Sequence, residues 1–70
     1  MDIKRMGRRI RAYRKLKGYT QQELADRAGI SLAVLGAVER GNRCLEDQIL
    51  DKIATVLGVG VKELTDSSSI

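Results

Sequence analysis

Seventy residues with a net charge of +4 and 31% charged side chains make one domain, too small to enclose a substrate cavity. The chain has no histidine and a single cysteine, Cys44, which excludes an internal disulfide and any zinc set. With no Gly-rich phosphate loop carrying a lysine and no carboxylates paired across a pocket, no catalytic residue, metal or cofactor is predicted, and the chain reads as a non-enzyme.

The first element is a helix from about Asp2 or Lys4 to Lys17. Ile3, Met6, Ile10, Tyr13 and Leu16 recur at helical spacing, and Gly18 is its stop. Residues 1–17 hold eight of the thirteen Lys/Arg against one acid, whereas residues 18–70 hold five against eight. A basic helix on a mildly acidic body suits a polyanion. It equally suits a solvated face that pairs with acidic helix starts inside the protein.

Thr20-Gln21-Gln22-Glu23 has the form of a capping box and opens a helix near 21–28. Leu24, Ala25 and Ala28 give this helix a narrow apolar stripe, and Gly29 supplies the left-handed residue that leaves it. Ser31 caps a further helix near 32–40, with Leu35 and Val38 inward and Gly41 at its end. Two short helices around a glycine turn have the geometry that presents the second helix to a DNA major groove. A loop through Cys44 and Leu45 leads to a fourth helix near 46–57. Its apolar face is Ile49, Leu50, Ile53, Ala54 and Leu57, its acids lie near the start, and Gly58 stops it. A short fifth helix is predicted at 61–65. The domain is expected to span 1–66, with a frayed tail at 67–70.

The basic start does not lead into a continuous apolar run, so no secretory signal is read. The longest mostly apolar stretch, residues 30–38, is about half of a membrane span. With a free thiol, these features point to the cytoplasm and away from any membrane.

The segment from Thr20 to Gly41 resembles the helix-turn-helix of the phage-repressor (lambda and Cro-like, or XRE) family of regulators. The matching residues are Ala25 inside the first helix of the motif, Gly29 in its turn, and Leu35 and Val38 in the second helix. Glu39-Arg40-Gly41 follows, and then Lys52-Ile53-Ala54 with Leu57-Gly58-Val59. The likeness runs from about Ile10 to Leu64. It implies an all-α, compact five-helix, lambda-repressor-like fold. It also implies a sequence-specific DNA-binding transcriptional regulator, in the family's commoner mode a repressor, acting as a homodimer on a near-palindromic operator in double-stranded DNA. Val59, Val61 and Leu64 are the expected dimer contact. The family's pairing of a first-helix arginine with the glutamate closing its third helix falls on Arg14 and Glu39.

With Leu35 and Val38 inward, Ser31, Leu32, Ala33, Gly36, Ala37 and Arg40 face outward or along the flank. In the family these positions commonly read bases through Gln, Asn, Arg, Ser or Thr. Here Leu32, Ala33, Gly36 and Ala37 offer no side-chain hydrogen bond. Leucine and alanine could touch thymine methyls in a deeply seated helix, with preference resting on Ser31, Arg40, Arg43 and DNA shape. The face could instead bind a protein, making the chain an interaction module acting through Leu32, Ala33 and Ala37. Or some of these residues pack in a slightly rotated helix.

Phosphate contacts are expected from Thr20, Gln21 and Gln22 at a helix start, and from Arg40, Asn42 and Arg43 at the far end of the recognition helix. The family commonly uses a glutamine at the position of Gln21. Cys44 reads as a small buried hydrophobe, with a redox thiolate beside Arg43 as the alternative. Tyr13 reads as core, and Tyr19 as a cover for the turn or an aid to a phosphate contact.

Overall fold

The first three helices each start on a side-chain cap, and the second and fourth stop at a left-handed glycine. The structure, a computed structural model, describes residues 2–65, and the tail expected at 67–70 lies outside them. The helices are α1 (Ile3–Leu16), α2 (Gln21–Ala28), α3 (Leu32–Glu39), α4 (Asp47–Leu57) and α5 (Val61–Thr65), with no strand among the described residues.

Asp2 opens α1, its Oδ1 accepting from the Lys4 and Arg5 amides at 3.0 and 3.1 Å. The Arg5 amide bond is the main cause holding the Asp2 carboxyl below its ordinary value. The capping box closes in both directions: the Glu23 amide donates to Thr20 Oγ1 at 3.1 Å, and the Thr20 amide to Glu23 Oε1 at 2.9 Å. Ser31 Oγ accepts the Val34 amide at 3.1 Å to start α3. Gly29 and Gly58 leave α2 and α4 in the left-handed region, at φ of 72° and 71°, where a side chain would be strained.

The core is shared by all five helices. Met6, Ile10, Leu24, Ala25, Ala28, Leu35, Val38, Leu50, Ile53, Ala54, Leu57 and Leu64 form one buried cluster. Helix α1 packs on α3 and α5, α2 on α3 and α4, and α4 on α5. The α1–α3 contact is made backbone to backbone. A Cβ on Gly7 would collide with the Val38 carbonyl oxygen and come within 3.0 Å of that of Glu39.

Three sequence expectations are corrected here. Leu16 is 77% exposed, not part of the apolar face. Each i+3 step falls back about 60° around a helix of 3.6 residues per turn, so after Ile10 the stripe leaves Tyr13 half-buried and turns Leu16 out. Arg14, four residues after Ile10, takes the buried place instead. Leu64 is 1% exposed: it is core, because α5 turns this residue onto α1 and α4, and it is unavailable to a partner. Cys44 is exposed, since the neighbouring Leu45 takes the inward position beside the core.

Candidate nucleic-acid interface

The last residue of α3 holds three elements in register. Arg14 is 8% and Glu39 7% exposed, and they bind through two contacts, Nε to Oε2 at 2.7 Å and Nη2 to Oε1 at 3.1 Å. Gln21 Nε2, at the first residue of α2, donates to the same Oε1 at 3.0 Å. Arg14 Nη1 reaches the Tyr19 carbonyl at 2.9 Å, joining the turn before α2 to the cluster. Buried charge is tolerated only with such full pairing. Among the described residues no buried side-chain nitrogen or oxygen lacks a partner. The pair implied by the family resemblance is therefore present, with Gln21 as a third member.

Outside this cluster lies an open cleft of about 550 Å³, lined by Arg11, Arg14, Thr20, Gln21, Glu39 and Arg40. Glu39 is neutralised by Arg14, so Arg11 and Arg40 set the charge at its mouth. The cleft ends on the first turn of α2, whose leading amides and positive dipole favour an anion. A phosphate oxygen placed there meets two guanidinium groups and a helix start together.

Of the expected phosphate residues, Thr20, Gln21 and Arg40 come together at this cleft. The Gln21 side chain is held by Glu39, which leaves its backbone amide as the group to offer. Gln22 does not line the cleft; its side-chain amide donates to Asp26 Oδ1 at 2.9 Å. Asn42 and Arg43 are exposed in the loop after α3. Arg43 lines a separate groove with Cys44, Leu45 and the start of α3. Arg11 was not singled out from the sequence. Its signal was available: it precedes Arg14 by three residues, one turn along the helix flank.

On α3, Leu32 is 43% exposed, Ala33 is exposed and Ala37 is half-buried. The outer surface of the helix is thus apolar and open, not folded into the protomer. Ser31 is exposed, with its hydroxyl engaged in capping. Gly36 corrects the expectation that it faces bases: it is buried. Arg40, one turn on, folds back along the helix, and a Cβ on Gly36 would lie 3.2 Å from Arg40 Nη1. Tyr19 does cover the turn, with the Arg27 guanidinium carbon 5.0 Å above its ring. Val59 and Val61 are half-buried against the core.

The profile of the helix-turn-helix family matches residues 10–64. Among curated proteins, the chain is 50% identical over 64 residues to the uncharacterized HTH-type transcriptional regulator YazB of Bacillus subtilis (strain 168), covering 91% of this chain and 93% of YazB. It is 42% identical over 62 residues to the HTH-type transcriptional regulator SinR of the same organism, covering 87% of this chain but 56% of SinR. The chain thus spans nearly all of one relative and about half of the other. Among solved structures, it is similar to SinR, the master regulator for biofilm formation, in complex with DNA. The TM-score is 0.83 at 42% identity, covering 87% of this chain and 98% of that one.

Proposed function

The chain belongs to the helix-turn-helix family, and from that premise we propose that it is a sequence-specific DNA-binding transcriptional regulator that inserts α3 into the major groove. One observation carries this reading. The cleft of Arg11, Arg40, Thr20 and Gln21 is an anion seat at the edge of an open, largely apolar α3 face, so a backbone phosphate and a base edge are met side by side. Leu32, Ala33 and Ala37 are suited to thymine methyls, and Ser31 and Arg40 supply polar contacts at the two ends of the helix. Asn42 and Arg43 extend the phosphate contacts beyond α3.

The protein acts as a repressor in the cytoplasm, without catalytic activity, and binds as a homodimer. A core this small typically supplies only about 3–5 kcal/mol, so burial against a second copy adds stability. Val59 and Val61 are the half-buried apolar residues offered for that contact. Two copies of α3 would then address half-sites about 34–36 Å apart. Docking of a protein on Leu32, Ala33 and Ala37 draws less support, because Leu32 is the one large apolar side chain of that patch and it is only 43% exposed.

Titration of a duplex by gel shift or fluorescence anisotropy across salt concentrations tests the reading. The wild-type protein should bind random duplex weakly, with log affinity falling linearly in log salt. Arg11→Gln and Arg40→Gln should each make that slope shallower by about 0.9. Absence of duplex binding at low salt would refute the function.

A further inference from the structure

Six of the seven arginines and lysines of α1 fall into two sets. Arg14 is bound to Glu39, and Arg9 Nη1 donates to the Glu63 carbonyl at 2.9 Å, tying α1 to α5. Lys4, Arg8, Arg11 and Lys15 are exposed, and none closes an ion pair with a described acid. Asp2 precedes this set at the start of the same helix. It turns its carboxylate to the Lys4 and Arg5 amides, with Arg8 contributing to its electrostatic surroundings. At 3.6 residues per turn, the four cations fall within an arc of about 60°, and at 1.5 Å per residue they span about 16 Å. They form a straight row.

The row is anchored at both of the places that matter for DNA. Arg11 lines the anion cleft at the start of α2. Lys4 lies against Gly41 at the end of α3, so close that a Cβ on Gly41 would be 2.8 Å from the Lys4 Cα. One face of α1 therefore runs from the loop carrying Asn42 and Arg43 to the cleft.

We propose that this face of α1, through Lys4, Arg8, Arg11 and Lys15, is a second DNA-contact surface that follows the phosphate backbone flanking the groove occupied by α3. The proposal rests on the DNA-binding reading above and adds to it a contact that α3 does not make. A strand carries a phosphate at every nucleotide, recurring each about 3.4 Å of duplex axis and about twice that far along the backbone itself, so flexible cations spread over about 16 Å each have a phosphate within reach. Such a contact is indifferent to sequence. It raises affinity for operator and random duplex alike and steepens the salt dependence.

The test compares two triple variants of equal charge in duplex titrations on operator-selected and random DNA. Lys4→Gln/Arg8→Gln/Lys15→Gln removes the row but leaves Arg11 in the cleft. Lys17→Gln/Lys52→Gln/Lys62→Gln removes three exposed lysines elsewhere; Lys17 lies by Gly58 and Lys52 by Gly29. All six positions are exposed, and circular dichroism confirms that both variants fold. The first variant should show a log–log salt slope shallower by about 2.7 on both DNAs, with the ratio of operator to random affinity unchanged. Raising salt fourfold would then cost it about 40-fold less affinity than the wild type. The control should keep the wild-type slope. An unchanged slope in the first variant overturns the proposal, as it would if the row served an acidic protein or a membrane. Equal flattening in both variants overturns it too, since overall charge would then be the cause. Either result leaves the α3 reading intact if the wild type still binds; that reading fails only if the wild type does not.

Discussion

Glu39→Ala should unfold this domain before it affects any contact with DNA. The substitution leaves the Arg14 guanidinium, 8% exposed, without its carboxylate. It also removes the acceptor of Gln21 Nε2. Breaking a buried pair from one side costs about 3–5 kcal/mol, comparable to the whole net stability of about 3–5 kcal/mol expected for a core of this size. Each kcal/mol moves the midpoint of a 60–100-residue domain by about 4–8 °C, so even the lower figure implies a fall of at least about 12 °C. Thermal and urea unfolding followed by far-ultraviolet circular dichroism reads this directly. The companion variant Arg14→Met/Glu39→Leu removes both charges and should recover most of the loss, because buried pairs replaced by packed apolar groups are often neutral or better. A Glu39→Ala midpoint within error of wild type would refute the argument. So would a double variant as unstable as the single, which would show that packing rather than the stranded charge is at stake.

Gly7→Ala should destabilise by about 1–3 kcal/mol, the usual range for overpacking, because the new Cβ meets the Val38 carbonyl; a raised melting point would contradict the backbone contact. Gly36→Ala should do the opposite. Its Cβ meets only the far end of the exposed Arg40 side chain, at 3.2 Å, so the gain in helix propensity, about 0.8–1 kcal/mol, should appear as a higher melting point, and a lower one would mean that Arg40 cannot move aside. Glu23 is held below its ordinary value of 4.5, chiefly by the Thr20 amide. A depressed carboxyl contributes stability that is present above its unfolded value and lost as pH falls through the folded one. Acid melts should therefore show a loss below about pH 4.5, shared with Asp2, that Glu23→Gln, which keeps an acceptor for Thr20, reduces; identical acid profiles would count against the box.

The helix boundaries were legible because their signals are local. Thr20, Ser31, Gly29 and Gly58 act on amides and carbonyls within four residues of themselves, so spacing in the chain is spacing in space. The Arg14–Glu39 pair was accessible only through family likeness, as the partners lie 25 residues apart. What stayed hidden depends on how the helices are rotated and packed. The exposure of Leu16 follows from the drift of an i+3 stripe, and Leu64 becomes core only because α5 folds back onto α1 and α4. Gly36 is screened by an arginine whose rotamer no periodicity specifies. The need for glycine at position 7 has no local signal, because the neighbour that requires it arrives from α3, more than 30 residues on. Arg11 and Gln21 show the same limit for the candidate site. The residue types were visible, but whether each faces a phosphate or a carboxylate depends on tertiary placement.

The main-chain seat between Gly7 and the end of α3 frees the reading helix from a constraint that side-chain packing would impose. Since α3 is positioned by its own carbonyls and by Leu35 and Val38, residues 32, 33 and 37 carry little of the burden of folding. On the proposed reading of α3 they are positions at which operator preference is open to revision by single substitutions, one specificity exchanged for another on an unaltered scaffold. A library randomised at these three places, selected against altered half-sites, would start from a protein already folded.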